Sequence, residues 1–430
     1  MKKTACLLLL GVYAQWAFAA LSPAEKEVVA YIDANHKEAE ALLEKSVNIN
    51  SGTMNFAGVK AVGEQLIPYF EAIGFNAWFE DGAAFNRAGH LIAEHEGGSG
   101  PNILLIGHLD TVFEPDSPFQ TFTRLDDKMA RGPGIADMKG GNIILLQALR
   151  ALHHSGHLSG MNVKVVMTGD EELSGEPLSA SKQALVDAAK WADIALGFEN
   201  GDGNPATANV SRRGSIGWTL TATGVPSHSS QVFQPKVGAG AIYELSRILH
   251  TFYLELRSED LLTFNPGKIM GGTTVSHDVA NNSGTTFGKD NVVAETAIAT
   301  GDIRAVSAQQ LARVKAKMTQ IVSQHLPQTS ATITFDEGYP PMGPSEGNKT
   351  LLTMYSAVSD DLGFGRVGPV NPLNAGAADV SFTAGYVQMA LDGLGMGGTA
   401  GHTVNEAADM TTLSSQAKRA AVLMLRLQDK

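Results

Sequence analysis

Short apolar runs that stop on a histidine or an acid set the rhythm of this chain. "GHLIAEHE" from Gly89, "NILLIGHLD" from Asn102, "NVKVVMTGD" from Asn162 and "DIALGFEN" from Asp193 read as strands. Between them "GGNIILLQALRAL" and "KQALVDAAKWA" carry apolar residues at helical spacing. Strands alternating with helices form parallel β-α-β units, and in such sheets ligands bind beyond the carboxyl ends of the strands. Ahead of these units, residues 22 to 48 read as amphipathic helix, opened by Ser22 with Pro23 behind it.

The pattern changes near Asn209. "SIGWTLTATGVPSH", helical "GAGAIYELSRILHTFYLEL", "NVVAETAIATGDIRAV", helical "AQQLARVKAKMTQIVSQHL" and "SATITFDEG" follow, with room for one more strand near 267–274. That is the element order of a ferredoxin-like domain. The Pro/Gly-rich "GYPPMGPSEG" leads back to helical "LLTMYSAVSDDL", a strand in "YVQMALDGLG" and a final helix from about Thr412. The expectation is an α/β domain in two pieces, 20–209 and 345–430, carrying an inserted α+β domain at 210–344.

Composition narrows the class. A chain of 430 residues with 43% hydrophobic and 18% charged positions is ordinary globular protein of about two domains. A formal charge of -12 without clustered Lys and Arg argues against a nucleic-acid partner. The first residues, "MKKTACLLLLGVYAQWAFAALSPAE", place two lysines before an apolar stretch and a small-x-small site at Ala17-Phe18-Ala19. They read as a signal peptide over 1–19, so the protein is expected in the periplasm or outside the cell, with no membrane anchor. The one cysteine, Cys6, falls in that leader, leaving a mature chain without thiols or disulfides.

Chemistry concentrates at the strand ends: His108 and Asp110 in "GHLDTV", Asp137 in "GPGIADMKGG", Glu171 and Glu172 in "GDEELSG", Glu199 in "GFENGDG", and His402 in "GGTAGHTVNE". Imidazoles and carboxylates without cysteine make an N/O metal site, for which zinc is the expected occupant. Five ligands are too many for one tetrahedral ion with an open position, but they suit two ions sharing one carboxylate. One glutamate of the "DEE" run would then hold metal while its neighbour handles a proton, and Asp170 reads as a turn group. Asp202 competes with Glu199 as a ligand, and "HHSGH", His153 to His157, reads as a solvated helix end.

With these motifs in this order, nearly all of the mature chain resembles metallopeptidase family 20, the group of glutamate carboxypeptidase, aminoacylase and succinyl-diaminopimelate desuccinylase. The resemblance implies two zinc ions per chain, replaceable by cobalt or manganese: His108, Asp137 and Glu199 on one, and Asp137, Glu172 and His402 on the other. It implies a cis peptide after Asp137, a proton-transfer role for Glu171, and Asp110 as the carboxylate behind His108. In the insert, His228 in "TGVPSHSS" matches the family's oxyanion-stabilising histidine. Arg304 in "GDIRAV" and Asn291 in "NVVAETA" match the groups that hold a substrate carboxylate.

The implied activity is cleavage of the amide bond to a C-terminal amino acid with a free carboxylate, in a small peptide or an N-acyl amino acid, by a homodimer joined through the lid. Two rivals stand beside it: an aminopeptidase of the same zinc chemistry, and a periplasmic solute-binding protein. Ala294 stands where the family usually has proline, and the segment between "GGTT" at 271 and Asn291 is longer than in most relatives. Both departures bear on specificity.

Overall fold

The structure is a computed structural model that describes residues 21–98, 100–279 and 281–428. The expected leader, with its cleavage site and Cys6, lies outside the described residues. Among the described residues no helix is long and apolar enough to cross a membrane.

Among the described residues, six strands form the larger sheet in the order Asn76–Asp81, Gly89–His95, Asn162–Thr168, Asn102–His108, Ile194–Gly197, Met389–Leu391. The last four run parallel, and the first two are antiparallel to their neighbours. Side chains alternate between two buried layers. Ile103, Leu105, Val163, Val165 and Leu196 meet the helices Gly140–His154 and Thr411–Gln428 on one side. Leu104, Ile106, Val166 and Ala195 meet the helix Gln183–Trp191 and the turn Asp379–Thr383 on the other. Burial on both faces is why the central strands Asn102–His108 and Ile194–Gly197 are almost wholly apolar.

The inserted lid domain has four antiparallel strands in the order Thr263–Gly272, Thr296–Arg304, Ile216–Gly224, Thr329–Phe335. Numbered along the chain this is 2-3-1-4, the ferredoxin-like arrangement. Trp218, Leu220, Ala222, Ala297, Ala299 and Ile303 bury one face against the helices Ala241–Leu256 and Ala308–Val322. The opposite parity, including Thr219, Thr300 and Arg304, stays partly exposed.

Three segments differ from the sequence reading. Residues 22–48 are two helices, Pro23–Ala34 and His36–Val47, because Asn35 turns its side chain onto Tyr31 O at 2.8 Å and breaks the helical path. The strand near 386–395 contracts to Met389–Leu391. The long segment before Asn291 holds a hairpin, Thr274–Asp278 with Ser283–Phe287, whose second strand is exposed throughout.

Candidate metal centre

Most groups in the cluster sit where a parallel strand runs out or where a glycine lets the chain come close. His108 ends its strand, Glu171 and Glu172 follow the neighbouring one, and Glu199 follows the next. Asp137 comes from the short Ile135–Lys139 turn ahead of the buried helix, and its peptide to Met138 is cis. That helix lies against the strand end because Gly141 has no side chain, a Cβ there meeting Phe198 O at 1.9 Å. His402 stands in a loop at φ 61°, in the left-handed region.

The two oxygens of Asp137 face two histidines. Oδ1 is 3.3 Å from His108 Nε2, and Oδ2 is 3.2 Å from His402 Nε2. Glu199 Oε1 completes the first group at 3.2 Å from His108, and Glu172 Oε2 the second at 3.2 Å from His402. Within each trio the potential ligand atoms all lie within 4.8 Å of one another. Asp202 is spent elsewhere, on Thr207 and the Asn204 N–H.

Electrostatics shows how closely these charges are packed. Burial, joined by the Asp137 charge, pushes the Glu199 carboxyl up to about 7, and burial also raises Glu172. Asp137, despite burial, is held below the usual carboxylate range by hydrogen bonds to both histidines. His108 is buried, which opposes charge, yet Glu199 and its carboxylate hydrogen bonds hold it well above an ordinary imidazole. Hydrogen bonds to Asp137 and Glu172 push His402 up to about 11. Buried acids packed this tightly need positive charge, and an imidazole-carboxylate set without thiolate suits a divalent cation. The residues therefore fit a metal pair.

Supporting contacts fix these groups. His108 Nδ1 lies 3.0 Å from Asp110 O and 3.3 Å from Asp110 Oδ1. Asp110 also accepts from Thr53 Oγ1 at 2.6 Å and from the Glu171 and Glu172 N–H groups at 3.1 Å each. One carboxylate thus ties a histidine to the two glutamates across the gap. Burial raises Glu171 well above the usual carboxylate range, and the charges of Glu199, Asp379 and Glu172 add to it. Asp170 turns away, to Lys182 at 3.0 Å and the Ser181 hydroxyl at 2.5 Å.

Sequence reasoning missed Glu406. Fully buried, it accepts N–H bonds from Gly134, Ala136 and Asp137 at 3.0, 2.9 and 3.1 Å and so holds the turn that presents Asp137. Its only signal was its place four residues after His402. Asp392 and Asp379, the other buried acids near the cluster, stand in segments without any motif.

The lid residues form no part of either trio. His228 is exposed with Nδ1 2.8 Å from Ser230 Oγ, and Ser229 N donates to Asn291 O at 2.8 Å, so His228 and Asn291 are neighbours. Arg304 Nε contacts Asp302 Oδ2 at 2.8 Å on the open face of the lid sheet.

Comparison with known proteins gives the family. The model of peptidase family M20/M25/M40 matches residues 104–427, well over half of the chain. The chain belongs to this family. Carboxypeptidase G2 of Pseudomonas sp. (strain RS-16) is 26% identical over 388 residues, 90% of this chain and 88% of that protein. Succinyl-diaminopimelate desuccinylase of Acidiphilium cryptum (strain JF-5) is 27% identical over 365 residues, 81% of this chain and 88% of that protein. Among solved structures, aminopeptidase PepT from Bacillus cereus superposes with a TM-score of 0.70 at 17% identity, over 91% of this chain and 99% of that one. As an M20 protein the chain is a metal-dependent hydrolytic enzyme, which removes the solute-binding alternative.

Proposed function

We propose that this M20 enzyme is a secreted di-zinc hydrolase that cleaves the amide bond to a C-terminal amino acid bearing a free carboxylate. The observation that carries the reading is the sharing of Asp137 between the His108–Glu199 and Glu172–His402 groups. A leader over 1–19, a catalytic domain of 20–209 and 345–430, a lid of 210–344 and a homodimer joined through that lid belong to the same proposal.

His108, Asp137 and Glu199 would hold one zinc, and Asp137, Glu172 and His402 the other. Such a pair supplies Lewis-acid polarisation of the scissile carbonyl and an acidified attacking water. Glu171 would take a proton from the attacking water and return it to the leaving nitrogen. Asp110 fixes the His108 tautomer and the turn that carries Glu171. His228 donates to the developing oxyanion, and Arg304 with Asn291 receives the substrate carboxylate.

The reading is tested with N-acyl amino acids and dipeptides, each offered with a free and an amidated C-terminus, following amine release with zinc supplied. Cleavage confined to the free-carboxylate members is expected. Equal cleavage of the amidated set would favour an aminopeptidase, the activity in the name of the Bacillus cereus neighbour. Arg304→Ala should raise KM for free-carboxylate substrates by roughly ten- to a hundredfold, the worth of about 1.5–3 kcal/mol for a hydrogen bond to a charged group. Unchanged kcat/KM on both substrate sets would remove Arg304 from the site.

A further inference from the structure

The lid is joined to the catalytic domain by two segments that lie side by side. Arg212 and Met342 exchange both backbone hydrogen bonds at 2.9 Å, and Ser215 N donates to Tyr339 O at 2.9 Å. Each segment sends one side chain towards the metal cluster. From the outgoing one, Arg212 grips Asp392 with Nε at 2.8 Å and Nη2 at 2.7 Å, and Asp392 Oδ1 accepts the Glu199 N–H at 3.4 Å. From the returning one, the Tyr339 hydroxyl lies 3.0 Å from Glu171 O and 3.0 Å from Asp379 Oδ1, its single proton between the two acceptors.

The far side of that contact is rigid. Asp379 is held by Lys182 Nζ at 3.2 Å and by the Thr168 hydroxyl, and Lys182 binds Asp170 at 3.0 Å. Lys182, Asp170 and Asp379 are buried, so this polar set is fixed by its own partners rather than by water. It clamps the turn from Thr168 to Glu172 at its start, while Asp110 holds the Glu171 and Glu172 N–H groups. The Glu171 carbonyl is the remaining free point of that peptide, and Tyr339 takes it. The ring packs on Phe382, centroids 5.0 Å apart, and Lys182 Nζ lies over it at 5.4 Å, while Ser174 Oγ donates to its hydroxyl at 3.4 Å.

We propose that Tyr339 is a positioning residue: its hydroxyl fixes the Glu171 peptide, and through it the direction of the Glu171 carboxyl, from the segment that joins the lid to the catalytic domain. The inference rests on the proposed proton-transfer role of Glu171. It does not require Tyr339 to touch substrate.

The test uses the full-length enzyme on whichever N-acyl amino acid the wild type turns over fastest. Tyr339→Phe, Phe382→Leu and Glu171→Gln are compared for kcat, KM and metal content. A misdirected base should lower kcat of Tyr339→Phe on the order of ten- to a hundredfold. KM and bound metal should stay within about twofold of wild type, and Phe382→Leu, which loosens the packing but keeps the hydroxyl, should keep kcat within about twofold. An inactive Glu171→Gln beside a Tyr339→Phe of wild-type kcat would overturn the positioning role alone. Equal losses in Tyr339→Phe and Phe382→Leu, or a change confined to KM, would overturn it as well. A fully active Glu171→Gln would instead remove the base, and this inference with it.

Discussion

Glu171→Gln is expected to lose roughly 10²–10⁴ in turnover while keeping its metal, since general acid-base catalysis contributes about that much. The substitution preserves volume and the backbone contacts to Asp110 and Tyr339, so it deletes the proton acceptor and little else. A second effect follows from burial. The Glu171 carboxyl binds its proton more tightly in the folded chain than in the unfolded one. Its stabilising contribution is therefore complete below the ordinary carboxylate value and is lost as pH rises through the folded one. Glutamine needs no charge, so after chelation the variant should melt above wild type at pH 8 and level with it near pH 4. Hydrolysis at the wild-type rate would exclude Glu171 as the base, and an unchanged melting difference across that range would exclude the burial account.

Asp137→Ala is expected to lose both ions, and activity with them. The single carboxylate faces His108 with one oxygen and His402 with the other, so its removal leaves two protein ligands for each ion. Even outer partners of metal ligands change affinity on the order of 10–100-fold, and a shared ligand should exceed that at both positions. Glu172→Ala supplies the contrast, because it touches only the His402 group. Elemental analysis after dialysis against a weak chelator should find both ions missing from the first variant and one from the second. Two retained ions in Asp137→Ala would contradict a shared ligand.

The parts of this molecule legible in its sequence are those where one physical constraint acts alone. "NILLIGHLD" and "NVKVVMTGD" declared themselves because strands covered on both faces are mostly apolar, and the polar residues that stop them mark the ligand-bearing end. The lid was readable from helices with a clear apolar stripe. Its hairpin at 274–287 was not, since its second strand is exposed throughout and the first is only five residues long, too short for its alternation to stand out. Asn35 hid a helix break because asparagine is compatible with either outcome until its side chain chooses the Tyr31 carbonyl. Glu406, Asp379 and Asp392 escaped because their value is purely tertiary: each stabilises a group brought near only by folding. Arg304 shows the opposite difficulty, for its pairing with Asp302 is compatible with both a surface role and a substrate role.

The residues that frame Asp137 come from opposite ends of the chain: the Gly134 N–H and the Glu406 carboxylate that receives it are 272 positions apart. Contacts of such long sequence separation form late, since the entropy of closing the loop must be met before they contribute. A ribosome-bound chain thus carries His108, Asp137 and Glu199 before the segment with His402 and Glu406 exists to complete the second group and brace the first. Loading of both proposed metal positions would consequently be a record of finished folding, and a chain cut short in its last strands would leave the Asp137 turn unbraced.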